Sequence, residues 1–227
     1  MTSLVFIDEI ITKYFCEIGQ NFKSSLKPGQ LVWTYFFYNY ESLELWRPAD
    51  LDDSSTIARK FEIRTDAKDR FSRRIPLYSP RLEIDEEFPV IRAKRRPALL
   101  VTSPPPEINV ANIRGGERIN QGLCLAAPLF SLSSEEGKTK FHTELINRVR
   151  KLLYPHLFFI PRFEEAGIKD SFCRLDRIAS SFVSHMAPED LCLAGEACEL
   201  FFSQLSFYIG GDSGQFYKTA FQLFNQK

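Results

Sequence analysis

Two groups of charged residues in this chain could do phosphate chemistry. Lys94-Arg95-Arg96 places three consecutive cations directly ahead of Pro97-Ala98-Leu99-Leu100-Val101-Thr102-Ser103, a buried-type strand run that Pro104-Pro105-Pro106 stops. Proline fits the first position of a strand, where no ladder donor is required. A cation fixed at such an entrance is held more firmly than one on a loop, as a phosphate site needs. The plainer alternative is a basic turn leading into a core strand. In Asp170–Ile178, alternation puts Phe172, Arg174, Asp176 and Ile178 on one strand face and Cys173, Leu175 and Arg177 on the other. Arg174 and Asp176 would then stand about 7 Å apart at Cα, able to pair with each other or to face a phosphate together. A sheet-surface ion pair, which is common and contributes little, is the alternative.

Between Arg59 and Arg96, twelve Lys or Arg stand against seven Asp or Glu. Such a run is either a solvated face or a phosphate-tracking surface. Phe71 and Tyr78 interleave with Arg70, Arg73 and Arg74, a mixture that base stacking beside phosphate contacts would use. The whole chain is not basic, since 29 Lys and Arg balance 29 Asp and Glu over 227 residues. That excludes a globally basic nucleic-acid binder and leaves room for a local basic surface. Cys16, Cys124, Cys173, Cys192 and Cys198 lack C-x-x-C spacing and a His at ligand spacing. Neither a disulfide framework nor a zinc site is expected, and a reducing, cytoplasmic compartment fits better. Cys124 and Cys173 fall in apolar runs and read as core residues. His142 and His156 have no carboxylate or Cys at a telling offset and read as structural or surface residues. Asp8, Glu9 and Lys13 interrupt the first apolar residues, unlike a signal peptide. No run approaches the roughly 18 apolar residues of a membrane-spanning helix.

The elements that must position these residues follow from periodicity. Leu4, Ile7, Ile11, Tyr14, Ile18 and Phe22 recur at steps of three and four, predicting an amphipathic helix within 1–27. Gln30–Phe37 is a strand by its β-branched and aromatic content, launched from Lys27-Pro28-Gly29. The stretch 38–93 is mostly loop-like, with Ala58–Arg64 and Arg81–Ile84 as short strands. Leu123–Phe130 is a second apolar strand after the polar loop Glu107–Gln121. Ser133 and Glu136 form a capping-box pattern, so a helix is expected over 133–153, with Phe141, Leu145, Val149 and Leu152 on one face. His156–Ile160 is a third strand. Pro188, with Glu189 and Asp190, reads as the start of a helix that Gly210-Gly211 ends, its stripe being Leu191, Ala194, Cys198, Phe201, Leu205 and Tyr208. A last helical segment carries Tyr217, Phe221 and Phe224. The fold class is mostly β with flanking helices (α+β): strands at 31–37, 97–102, 123–129, 156–161 and 171–178 imply a small, strongly curved sheet or barrel.

The order of four pieces resembles the PemK/MazF family of toxin endoribonucleases. They are Pro28-Gly29-Gln30-Leu31-Val32-Trp33, then Arg96-Pro97-Ala98-Leu99-Leu100-Val101-Thr102-Ser103, then Ala126-Ala127-Pro128-Leu129. The fourth is Ser171-Phe172-Cys173-Arg174-Leu175-Asp176-Arg177-Ile178, before a closing helix. The resemblance covers roughly 28–38 and 94–208. It implies an SH3-like barrel over 28–187 with an insertion at about 38–93, an N-terminal helix at 1–27 and C-terminal helices at 188–227. It further implies a homodimer, an antitoxin protein as partner, no cofactor or metal, and single-stranded RNA as substrate, cut by 2′-hydroxyl attack on the adjacent phosphate. Arg96 matches the family's Arg-Pro arginine on the phosphate. Arg174 and Asp176 match an Arg-x-Asp pair that some members use as acid and base. Asp176 is then the general base, while arginine's high pKa favours electrostatic stabilisation for Arg174. Ser131 would be a supporting hydroxyl, and Arg70, Arg73, Arg74, Lys94 and Arg95 would line the RNA groove.

Three departures stand out. Phe130, followed by Ser131, occupies the place where active members carry Thr. Glu87–Arg92 replaces a Gly-Ser-Glu-Gln-like segment, and the loop between the first two barrel strands is far longer than in compact members. They bear on activity more than on fold. The alternative is a non-catalytic module of the same fold that binds a protein or nucleic acid, its site eroded at Phe130.

Overall fold

β-Branched and aromatic residues in short alternating runs set the strands of this chain. The computed structural model describes residues 6–38, 42, 44–48, 61–64, 82–83, 85–106, 122–211 and 214–225. In chain order the helices and strands are α1 (Ile7–Ile10), β1 (Phe15–Glu17), β2 (Gln30–Phe37), β3 (Glu44–Pro48), β4 (Phe61–Arg64), β5 (Pro89–Val90), β6 (Ala93–Leu100) and β7 (Leu123–Ser131). They continue as α2 (Thr143–Arg150), β8 (Leu157–Ile160), β9 (Ser171–Arg174), β10 (Ala179–Phe182), β11 (Ala187–Leu193), α3 (Gly195–Gly210) and α4 (Gln215–Asn225). The protein is α+β, and its strand ladders are predominantly antiparallel.

The chain divides into two units, one of residues 1–35 with 95–227 and one of residues 36–94. In the first, the strand order is β1-β11-β2-β6-β7-β9-β8, with β10 also on β7. β10 runs through a 3-10 turn, Val183–His185, into β11, which pairs with β2. Thr34 of β2 and Ser181 of β10 share a buried hydroxyl–hydroxyl hydrogen bond of 2.6 Å. Among the described residues no ladder joins β10 to β11, so the pairing does not close into a ring. Leu31, Ala98, Leu99, Leu100, Ala126, Ala127, Leu200 and Phe201 are fully buried and centre the core. The second unit has its own sheet, β4-β3-β5. Its buried Arg47 donates to Glu87, with Nε 3.3 Å from Oε2.

Four expectations are corrected. The N-terminal stripe is buried at Ile7, Ile11 and Tyr14, but the helix is one turn long. Ile10-Ile11-Thr12 is a β-branched run, stiff at χ1, and the chain after it pairs as β1 with β11, Cys16 opposite Cys192. Pro188 opens no helix and lies in β11, where the register on β2 shifts between Pro188 and Cys192. A proline without a ladder donor suits an irregular strand. Asp190 accepts from the backbone N–H of Ile18 and Gly19 instead of capping a first turn. Ser133 does not cap a helix: it bridges Thr139 across a turn, and α2 starts later on His142, whose Nδ1 accepts from Glu144 N–H at 3.3 Å. The strand expected over 170–178 stops at Arg174, and Leu175–Arg177 forms a 3-10 turn.

The turn at Gly29 fixes how β2 starts. Gly29 has φ +82°, donates to Leu100 O at 2.7 Å and accepts from Leu193 N–H at 2.9 Å. A Cβ there would sit 3.3 Å from both Cys192 Sγ and Cys198 Sγ. Gly137 has a similar φ of +79° with nothing within 4 Å of such a Cβ. Left-handed backbone costs a residue with a side chain about 1–2 kcal/mol. Gly137→Ala is expected to lose about that much, and Gly29→Ala measurably more. Urea midpoints at unchanged m-value check the difference.

Candidate functional site

Strand register brings the charged residues of the first unit together. Ala98, Leu99 and Leu100 of β6 face Pro128, Ala127 and Ala126 of β7. Leu129, Phe130 and Ser131 of β7 face Cys173, Phe172 and Ser171 of β9 on its other side. Side chains alternate along each strand, so Arg96, Phe130 and Arg174 fall on one face. Their contacts agree: the guanidinium carbons of Arg96 and Arg174 lie 4.3 and 5.7 Å from the Phe130 ring centroid. Each such contact contributes about 0.5–2 kcal/mol, depending on desolvation.

The 3-10 turn then folds Asp176 back onto Arg174. Arg174 Nε donates to Oδ1 at 2.6 Å and Nη2 to Oδ2 at 2.5 Å, a bidentate pair that orients the guanidinium plane. These hydrogen bonds hold the Asp176 carboxyl below its ordinary range, against partial burial, and the charge of His156 contributes in the same direction. The same hydrogen bonds raise Arg174 above its ordinary value. A carboxylate so stabilised is a weak proton acceptor. The pair fits orientation and charge better than proton transfer.

His156 precedes β8 and packs on Tyr208 of α3, and the sequence marks neither residue with a motif. The His156 ring lies 6.0 Å from Tyr154 and 6.3 Å from Tyr208 of α3, and its carbonyl accepts from Leu175 N–H at 3.0 Å. Buried Gln204, one helical turn before Tyr208, donates Nε2 to the carbonyls of Tyr154, Pro155 and Leu157 at 3.4, 3.1 and 2.9 Å. The only sequence signal for this grouping was the shared α3 face of Gln204 and Tyr208.

The remaining expected residues fall elsewhere. Ser131 lies on the opposite face of β7 from Phe130, donating to Ser133 O at 2.7 Å and accepting from Ser133 N–H at 3.3 Å. Its hydroxyl shapes the turn after β7. Arg95 is exposed, its guanidinium 5.5 Å from the Trp33 ring centroid, and alternation points it away from Arg96. Lys94 is exposed and belongs to the second unit. Arg70, Arg73 and Arg74 lie outside the described residues. Burial pushes up the thiols of Cys124, Cys173 and Cys192, the last to about 11. Among the described residues, no group of three His, Cys, Asp or Glu could hold a metal ion, and no helix is long and apolar enough to cross a membrane. No family model and no curated protein matches the chain.

Because the folded Asp176 carboxyl titrates low, its pairing stabilises the fold above the unfolded carboxylate pKa of about 3.9. That contribution fades as pH falls through the lowered folded value. The side chains are 30% and 23% exposed, so the contribution is about 1 kcal/mol. Asp176→Asn should lose about that at pH 7. The stability gap to the unsubstituted protein should close as pH drops below about 4. Urea titrations at the two pH values measure it.

Proposed function

We propose that this chain is an endoribonuclease of the PemK/MazF type, cleaving single-stranded RNA at the Arg96–Phe130–Arg174 site. The observation that carries the reading is that one aromatic ring holds both arginines, the second oriented by Asp176. These residues come from distant parts of the chain and include Arg96, Arg174 and Asp176, three of the four catalytic positions named from the family resemblance, the fourth, Ser131, lying on the other face of β7. The strand order β11-β2-β6-β7-β10, with a 3-10 turn leading from β10 into β11, supports an SH3-like curvature for this sheet. A second copy of the chain and an antitoxin protein belong to the same reading.

In this reaction the ribose 2′-oxygen attacks phosphorus, the P–O5′ bond breaks, and a 2′,3′-cyclic phosphate and a 5′-hydroxyl result. Negative charge grows on the phosphoryl oxygens, where preoriented guanidiniums stabilise it most. Arg174 spends Nε and one Nη2 hydrogen on Asp176, which leaves its Nη1 donors for a phosphoryl oxygen. Arg96 contributes a second guanidinium. Asp176 serves to align Arg174, and no metal ion enters the scheme.

The second reading, a non-catalytic module that binds a protein or nucleic acid, draws on Phe130 filling the position where active family members carry a hydroxyl. Purified protein incubated with mixed-sequence single-stranded RNA in EDTA separates the two. Cleavage leaving 5′-hydroxyl ends is expected, with Arg96→Ala and Arg174→Ala each lowering kcat/KM by about 10²- to 10³-fold. Binding without cleavage supports the second reading. Full activity in Arg96→Ala overturns the assignment of the site.

A further inference from the structure

We infer that Cys16, Cys192 and Cys198 form one thiol cluster, in which a peroxide oxidant closes a disulfide between Cys16 and Cys192; this does not depend on the endoribonuclease reading above. The three residues come from separate elements: Cys16 from β1, Cys192 from β11 and Cys198 from the start of α3. Sequence spacing does not show the cluster, because only the fold brings position 16 to position 192. All five cysteines are free thiols in this structure. A disulfide that forms only under oxidation is the kind found in redox sensing.

Two observations place the sulfurs. In the β1–β11 ladder Cys16 stands directly opposite Cys192, so both side chains leave the same face of the sheet. Two positions along, Ala194 N–H donates to Tyr14 O at 2.9 Å. By alternation Cys16 and Cys192 are then also a hydrogen-bonded pair, with Cα atoms about 5.5 Å apart. That lies inside the span of about 4.4–6.8 Å over which disulfides form. The Cβ atoms must approach by about 1 Å from the usual cross-strand spacing. β1 can supply that shift, being three residues long and at the end of the strand order. The second observation is at Gly29, where a Cβ would lie 3.3 Å from both Cys192 Sγ and Cys198 Sγ. Those two sulfurs are therefore no farther apart than twice that distance, in space the glycine leaves open.

The other two cysteines are placed differently. Cys124 opposes Ser181, and Cys173 opposes Leu129 on one side and Phe158 on the other. Both are buried, whereas Cys16 and Cys198 are half-buried. Electrostatics agrees with the geometry. The Cys192 thiol is pushed up mainly by burial, then by Cys198, with a smaller push from Cys16 and an opposing effect from Lys27. Burial raises Cys198 as well, and Cys16 adds to it. The thiolate is the reactive form, and burial withholds it at Cys192, so an oxidant meets Cys16 first. Cys192 Sγ donates to Pro28 O at 3.5 Å, a weak bond that closure exchanges for a covalent one.

With hydrogen peroxide as the oxidant the step balances. The Cys16 thiolate attacks one peroxide oxygen, the O–O bond breaks, and hydroxide leaves a sulfenic acid on Cys16. The Cys192 sulfur then attacks the Cys16 sulfur, the S–OH bond breaks, and water departs with the Cys192 proton. Two thiols have lost two electrons and two protons, and the peroxide has become two waters. The bridge ties β1 to β11. Without it, β1 and the turn after it are held there by the short ladder and by Asp190, which accepts from Ile18 and Gly19.

The test treats the folded full chain with excess hydrogen peroxide, blocks the remaining thiols by alkylation, and maps the linked peptides by mass spectrometry. Cleavage after glutamates puts Cys16 in 10–17, Cys192 in 190–196 and Cys198 in 197–199, so the bridged pair is read directly from mass. The expected product is 10–17 linked to 190–196, released by dithiothreitol. The oxidised protein should show a urea midpoint higher by about 1 M, because a bridge enclosing most of the chain restricts the unfolded state. Cys198→Ser should keep both the bridge and the shift, and Cys16→Ser should lose both. Recovery of Cys16 and Cys192 as alkylated thiols overturns the proposal without any variant. So does a bridge to Cys198, a bridge between two copies of the chain, or an undiminished midpoint shift in Cys16→Ser.

Discussion

Strand β7 is the constraint on which the site depends. It pairs with β6 along one edge and with both β9 and β10 along the other. From Cys173 to Ala179 the chain uses three more residues than β7 does from Leu129 to Ala126, and those three are the turn Leu175–Arg177. The bend lets one neighbouring segment pair with both ends of β7. It also lifts Asp176 out of the strand and onto Arg174. Register decides the chemistry as well: a slip of one residue would turn Ser131 to the site face and Phe130 away from it. The fully buried Ala98–Leu100 and Ala126–Ala127 make such a slip expensive, because it would turn core side chains outward.

Electrostatics at this face depends on arrangement more than on net charge. The chain is neutral overall, yet two guanidiniums meet at a single aromatic ring and a carboxylate pairs with one of them. Like charges this close repel unless something offsets them. Asp176 does so for Arg174, and the face of the Phe130 ring attracts both cations. On the endoribonuclease reading, a bound phosphate would add to these attractions, so affinity would fall with added salt.

Much of the strand pattern was legible. Gln30–Phe37, the run after Pro97, Leu123–Phe130 and His156–Ile160 all announce themselves by β-branched and aromatic content, and each contains or overlaps a strand. Arg96, Arg174 and Asp176 were legible as residue types in a recognisable order, and the fold gathers them. What failed depended on distant partners. The N-terminal stripe marked burial correctly, but Cys16 becomes strand because Cys192 is available across the ladder. Pro188-Glu189-Asp190 has the composition of a helix start, and only the Asp190 contacts with Ile18 and Gly19 show why it is not one. His156 carries no local motif at all. Its neighbours arrive from α3 and from the turn after β9, far along the chain.

Phe130 then changes meaning. As a sequence departure it reads as erosion, since a phenyl ring cannot donate the hydrogen bond a hydroxyl would. In the fold it is the surface on which both guanidiniums are laid, and the hydroxyl of the next residue, Ser131, is engaged with Ser133 on the other face. Removing a donor weakens transition-state stabilisation only if nothing else is oriented toward the same charge. Two arginines, both on the ring and one of them also paired with a carboxylate, supply oriented donors of higher charge than a hydroxyl. On the endoribonuclease reading, Phe130 therefore shifts the chemistry from hydroxyl donation to arginine clamping.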